Sequence, residues 1–197
     1  ASSSIRAAAA SSEASSIADE NHEKPGVRPG FLCLKLFAEF FMTANQTLSI
    51  PTSITVRDAG DADMEAVHSI YAHHVLHGLG TFEETPPSLD DLKSRYAAII
   101  GSGMPWLVAE VDGRIAGFAY AGPFRLRTAY RFTVEDSIYV ADGFFGRGVG
   151  RALLGELIRR CEGGPWRQML AVIGDSGNEG SIGLHRAFGF SDLGTMK

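Results

Sequence analysis

The stretch "DGFFGRGVGRALLGELIRRC", residues 142–161, constrains this chain more than any other. It sets three alternating glycines and two arginines against the start of an amphipathic helix whose Leu154, Leu157, Ile158 and Cys161 form one apolar stripe. Directly before it, "FTVEDSIYV" at 132–140 is rich in β-branched and aromatic residues and reads as a strand. Strand, glycine turn and helix in that order make one unit of an α/β fold. Glycines at such a junction let something approach the backbone closely, and the arginines point to an anion, a phosphate above all.

Two phosphate-loop patterns fail here. A dinucleotide fingerprint needs a third glycine, but counting from Gly146 reaches Arg151 and counting from Gly148 reaches Leu153. A Walker loop needs Gly-Lys, and none of the lysines follows a glycine. What remains is Phe145-Gly146-Arg147-Gly148-Val149-Gly150, whose successive main-chain N–H groups at a helix start can cradle a pyrophosphate. On this reading a side chain at Gly148 or Gly150 would take the space of the phosphates. A tight turn with no ligand is the alternative.

The surrounding pattern is mixed α/β. "ITVRDA" at 54–59 reads as a strand, and the following segment places Met64, Val67, Tyr71, His74 and Val75 at helical spacing behind acidic residues. Ser88 with Asp91 three residues on predicts the start of a second helix. Asp112-Gly113 between two apolar alternating runs predicts a hairpin with a two-residue type I′ turn. "RQMLAVIG" reads as a strand and "NEGSIGLHRAFGF" as a helix, so the glycine-led helix is a crossover between two parallel strands. The expected fold is a mixed twisted sheet flanked by helices.

With 197 residues, one domain is the expectation, and a net charge of −5 excludes a broad nucleic-acid or membrane footprint. Two cysteines, Cys33 and Cys161, are too few for a disulfide framework and imply a reducing, cytoplasmic compartment. Residues 1–50 differ from the rest: an Ala/Ser-rich run precedes "FLCLKLFAEFF", which is too short to span a bilayer. These residues are expected to be disordered or an upstream extension, with the domain at 51–197 and residues 1–41 unrelated to the fold. His73 and His77 have the spacing to hold zinc on a helix but lack a third ligand nearby, so no metal is expected. Trp106 and Trp166 read as packing residues rather than stacking platforms.

The glycine loop, together with "GFAYAGPFRLRTAYRFTVEDSIYV" and "NEGSIGLHRAFGF", resembles the GCN5-related N-acetyltransferases, and within them the phosphinothricin and methionine sulfone/sulfoximine acetyltransferase branch. The resemblance runs from about Ile54 to Lys197 and implies acetyl-CoA as cosubstrate. Its pyrophosphate would lie on Gly146, Arg147, Gly148, Val149, Gly150 and Arg151. Its pantetheine arm would enter a splay between 136–140 and 168–173, meeting Ile138, Tyr139, Val140, Asn178 and Ser181. The loop usually opens with Gln or Arg, where this chain has Phe145.

A lone Glu in a strand is more often a solvent-face residue, and it is the resemblance that makes Glu135 the base that deprotonates the incoming ammonium. Asp136 then points to the opposite face. His185 stands where the wider family has tyrosine and is either a proton donor to the coenzyme A thiolate or a positioning residue. Phe124, Arg125, Arg127 and Tyr130 are implied as substrate-binding, with an arginine, matched best by Arg127, clamping a carboxylate bidentately. Arg125 and Arg131 resemble the sulfone/sulfoximine enzymes, and a solvated charge run is the bland alternative.

The implied partners are a small-molecule amine and a second copy in a homodimer, without nucleic acid or membrane. A ribosomal-protein or peptide N-terminal acetyltransferase and a noncatalytic CoA-binding module are the rival readings. Related enzymes continue past "SDLGTMK" with a further strand, so the sheet is expected to be truncated there and to expose an unpaired edge.

Overall fold

In the computed structural model, residues 31–36, 53–78 and 80–195 are described, the first of these stretches by its backbone. Seven strands are formed: β1 (Phe31–Leu36), β2 (Ile54–Asp58), β3 (Trp106–Val111), β4 (Arg114–Pro123), β5 (Thr133–Val140), β6 (Gln168–Ile173) and β7 (Ser191–Thr195). Four α-helices accompany them: α1 (Met64–His77), α2 (Leu89–Gly101), α3 (Val149–Glu162) and α4 (Glu179–Ala187). The sheet order is β2-β3-β4-β5-β6-β1-β7, antiparallel except for β5 and β6, which α3 joins as the expected crossover.

Local chemistry sets the elements as the sequence predicts. Asp112 and Gly113 both have positive φ, 51° and 72°, as a type I′ turn requires, and Val111 pairs with Arg114 across it. Ser88 accepts the Asp91 N–H and Asp91 accepts the Ser88 N–H, a reciprocal cap that starts α2.

Because strand side chains alternate, the central strands bury both faces. On one face α1 and α2 set Met64, Val67, Leu92 and Tyr96 against Trp106, Val108, Phe118 and Tyr139. On the other, Leu153, Leu154 and Leu157 of α3 cover Leu107, Ala119, Val134 and Met169. Trp106 is a packing residue, its ring stacked 4.3 Å from that of Tyr120, and Trp166 packs on the α3 side. Among the described residues, no helix is long and apolar enough to cross a membrane.

One strand differs from expectation. Phe31–Leu36 lies in the segment read as unrelated to the fold, yet its backbone pairs along its whole length with Gln168–Ile173 and, on its other side, with Ser191–Thr195. Where the sheet was expected to expose an unpaired edge, β6 carries β1, and β7 is joined to the sheet through β1. The physical reason is that an apolar run without proline can satisfy an exposed strand edge wherever it lies in the chain. The rest of residues 1–50 lies outside the described residues.

Deleting residues 1–41 strips β6 and β7 of their shared partner. The expected drop in Tm, relative to a chain lacking only residues 1–30, is more than about 5 °C, since about 1 kcal/mol moves the midpoint of a domain this size by roughly 2–4 °C. Scanning calorimetry of the two truncated chains measures it, and equal midpoints would show that β1 adds no stability.

Candidate active site

The site begins where the sheet stops being a sheet. β5 and β6 pair in parallel from Thr133–Gln168 to Asp136–Ala171, and there the pairing ends. Beyond it the strands part, and a cavity of about 1100 Å³ opens between Ser137–Val140 on one side and Ala171–Ile173 on the other. That volume lies just above the ~300–1,000 Å³ usual for ligand and cofactor sites. The splay implied by the resemblance is thus present, with Asp136 at its vertex.

At the wide end the cavity reaches the glycine loop, where Gly146, Gly148, Val149, Gly150 and Arg151 all line it. Gly146 and Gly148 take left-handed φ values of 71° and 88°, and alternating left-handed residues make the concavity in which N–H groups gather on an anion. Gly148 is the N-cap of α3, and no side chain caps that helix start. Its first N–H groups and the positive end of the helix are left to whatever enters the cavity. The expectation for Gly150 needs correction: a Cβ there meets Leu184 Cδ2 at 3.3 Å and Val140 Cγ2 at 3.6 Å. This glycine lets α3 approach α4 and β5, whereas Gly148 is dictated by its φ. Arg151 stacks over the Phe188 ring at 5.4 Å, and Arg147, which does not line the cavity, over Phe144 at 5.1 Å.

Ile138, Tyr139, Val140, Asn178 and Ser181 line the cavity as expected. The Asn178 side-chain oxygen accepts the Ser181 N–H at 3.1 Å and so caps α4, a task its spacing to Ser181 could have revealed. His74, read from the sequence as part of a helical stripe, donates from Nε2 to the Val140 carbonyl at 2.8 Å. Burial pushes its pKa below the usual histidine value, and the neutral ring ties α1 to the end of β5.

Glu135 and Asp136 follow one another on β5 and so face opposite sides of the sheet. Both line the cavity. Burial holds the Glu135 carboxyl above the usual carboxylate range, the Asp136 charge adds to this, and the Arg125 charge partly offsets it. A carboxylate of raised basicity on a cavity wall is suited to taking a proton. His185, 4% exposed, sets Nε2 2.9 Å from Asp136 Oδ2 and Nδ1 2.7 Å from the Ser181 carbonyl oxygen. Burial alone would lower its pKa, but the Asp136 hydrogen bond and charge, with the Ser181 carbonyl, raise it above the usual value.

The four substrate-binding candidates do not line this cavity. Phe124 and Tyr130 pack edge to face at 5.7 Å, Arg125 sits over Phe124 at 5.2 Å, and Arg127 is exposed just before a short 3₁₀ turn at Thr128–Tyr130. Of the arginines in this loop, Arg125 is the one whose charge is felt at Glu135. Sequence reasoning missed the opposite wall, where Tyr71, Thr81, Phe82, Glu83 and Tyr120 line the cavity. Tyr71 and Tyr120 also line a second cavity of about 260 Å³ beneath α2. No spacing motif marks these residues, because helix packing and an irregular loop bring them together.

Comparison with known proteins agrees with this geometry. Residues 68–190 match the acetyltransferase (GNAT) family. The phosphinothricin N-acetyltransferase of Alcaligenes faecalis is 54% identical over 143 residues, covering 73% of each chain. An L-methionine sulfoximine/L-methionine sulfone acetyltransferase of Pseudomonas aeruginosa is 39% identical over 145 residues, covering 73% of this chain and 84% of the relative. Among solved structures, a GNAT superfamily phosphinothricin acetyltransferase from Sinorhizobium meliloti, in complex with AcCoA, superposes with a TM-score of 0.68. It is 50% identical, covering 70% of this chain and 75% of that one. A parted parallel pair of strands beside a glycine-led, uncapped helix, in a chain with these relatives, makes this protein a member of the acetyltransferase (GNAT) family.

Proposed function

We propose that the protein moves the acetyl group of acetyl-CoA to the amino group of a small amino-acid-like substrate such as phosphinothricin or methionine sulfone or sulfoximine. The observation that carries this reading is the wedge between β5 and β6, which runs from an uncapped helix start to a half-buried carboxylate. The residues present fit the coenzyme: left-handed glycines and free helix N–H groups suit a pyrophosphate, and unpaired strand backbone suits an amide-bearing arm. Gly146, Gly148, Val149, Gly150 and Arg151 hold the phosphates, with Arg147 at the rim. Ile138, Tyr139, Val140, Asn178 and Ser181 hold the arm, and acetyl-CoA, when bound, supplies the activated acetyl thioester.

The acetyl thioester would lie near Ile138–Val140, where a backbone N–H facing the gap would polarise the acyl carbonyl. Glu135 removes the proton of the incoming ammonium, so that a neutral amine is available for attack. His185, at the vertex, assists the departure of the sulfur. The carboxylate clamp falls to Arg125, whose charge is felt at Glu135, rather than to Arg127. A guanidinium there would hold the substrate's acid group while its amine meets the base. The same reading has the enzyme work in the cytoplasm as a homodimer, supported by the buried free thiol of Cys161 and the exposed outer strand β7. Sedimentation velocity checks the dimer.

A panel assay of thiol release with phosphinothricin, methionine sulfone, methionine sulfoximine and a short peptide tests the function. Turnover is expected with the amino-acid analogues, and acetylation of the peptide alone would overturn the reading. Glu135→Gln is expected to lower kcat by about 100-fold or more while acetyl-CoA binding is kept, the scale of a lost general base. For the wild type, kcat/KM for the amine is expected to fall as pH drops through the raised Glu135 pKa, since protonation removes the base. An acid limb no higher than an ordinary glutamate would exclude that role.

Arg125→Ala is expected to narrow the preference for an amino acid over its amide by about 1.5–3 kcal/mol, the range for a hydrogen bond to a charged group. Arg127→Ala should leave that preference unchanged. Paired kinetics on acid and amide decide between the two arginines.

A further inference from the structure

The geometry at the vertex of the wedge assigns a role to Asp136. We propose that Asp136 is a positioning residue that holds His185 as a fixed imidazolium, and that the pair forms a charged latch between β5 and α4 where the strands part. This rests on the acetyltransferase reading for its catalytic consequence, but not for the state of the pair.

The Ser181 carbonyl oxygen only accepts, so His185 Nδ1, 2.7 Å away, carries a proton. Opposite Nε2, at 2.9 Å, stands Asp136 Oδ2. An ionised Asp136 only accepts, so Nε2 would then carry a proton as well and the ring a positive charge; the other oxygen, Oδ1, is buried with no hydrogen-bond partner among the described residues. The two side chains are 5% and 2% exposed, so water hardly screens the pair.

The other groups around the ring do not compete for its charge. Phe190 lies edge to face with it at 5.0 Å. Cys161 on α3 feels the Asp136 charge, but burial first and that charge second push its thiol up to about 12, so it stays neutral. Asp175, just after β6, has its Oδ1 engaged by the Gly177 N–H at 2.8 Å. On α4 itself, Arg186 is exposed and paired with Asp192, and Ser181 Oγ lies 3.4 Å from Nδ1.

Both ring N–H groups are thus committed to acceptors. His185 then assists the sulfur as a held positive charge rather than by giving up a proton, because losing Nε2–H would turn a lone pair toward the Asp136 carboxylate. Asp136 has a second effect, since its charge also raises the Glu135 pKa on the opposite face. One buried carboxylate therefore biases the groups on both sides of β5 in the same direction.

The full-length protein, without coenzyme and with ¹⁵N-labelled histidine, gives the first test, the His185 signals being identified by their loss in His185→Gln. The imidazolium signature is expected to persist well above the ordinary histidine titration, and a ring that is neutral at pH 7 would overturn the proposal without any assay of turnover. In Asp136→Asn the midpoint is expected to fall by at least about one pH unit, about tenfold less imidazolium at a pH above both midpoints.

Kinetics give the second test. Raising pH through the His185 pKa removes the charge, and lowering pH through the Glu135 pKa removes the base. Asp136→Asn is therefore expected to shift both limbs of the kcat/KM profile toward acid, whereas a merely structural loss lowers the curve without moving it and would overturn the proposal. A solvent isotope effect on kcat in the wild type that disappears in His185→Gln would also overturn it, by making His185 a proton donor. If Asp136→Asn does not fold, the wild-type titration still decides. Failure of the base assignment is read separately, from Glu135→Gln.

Discussion

The structure depends on two parallel strands that begin as a ladder and then separate. β5 and β6 give up their mutual hydrogen bonds after Asp136 and Ala171, which leaves a row of backbone groups facing into the gap. Unsatisfied buried backbone is costly, so such an opening persists only where its walls are held from outside and its inner groups find a ligand or water. Both walls are held. β4 pairs with β5 to Val140, and β1 pairs with β6 to Ile173, so each parted half keeps its outer ladder. His74 adds a third fastening at the Val140 carbonyl. The wedge is a gap between two supported strands, not a frayed end.

Placing the chemistry at that gap follows from the two-residue period of a strand. Glu135 and Asp136 are neighbours in sequence but lie on opposite faces. Glu135 is half-buried, looks across the cavity toward the α1 and α2 side, and lies opposite Gly122 on β4, which contributes no side chain. Asp136 is buried against α4, with its Oδ2 2.9 Å from His185 Nε2. The carboxyl groups of two adjacent residues thus have different surroundings, one against a buried imidazole and the other on the cavity wall.

Much of this was legible in the sequence, for definite reasons. The hairpin at Asp112-Gly113, the Ser88 cap and the crossover by α3 are local, and turn chemistry or helical period fixes them. Glu135 became a candidate through resemblance, not through its own residue type. Three things were not legible. β1 joins the sheet from a distant part of the chain, and nothing in "FLCLKL" says which edge it will meet. The far wall of Tyr71, Phe82 and Tyr120 is assembled by packing. The reason for Gly150 lies in Leu184 and Val140, which become its neighbours only after α3 and α4 dock.

In a chain of net charge −5, any positive site at the glycine loop is local. Charges beyond a screening length of ~8 Å at physiological ionic strength count for little, so the choice is made by the groups at the loop itself. There the positive end of α3 has no side-chain cap and Gly146 and Gly148 hold left-handed turns. Arg151 is kept in place by the Phe188 ring. Phe145, where the resemblance led to an expectation of Gln or Arg, brings no polar side chain to this loop. That residue instead lines the cavity and meets the His74 ring at 6.2 Å, edge to face. The same histidine that fastens β5 thus contacts the glycine loop, so the wide end of the wedge and that loop meet at one side chain.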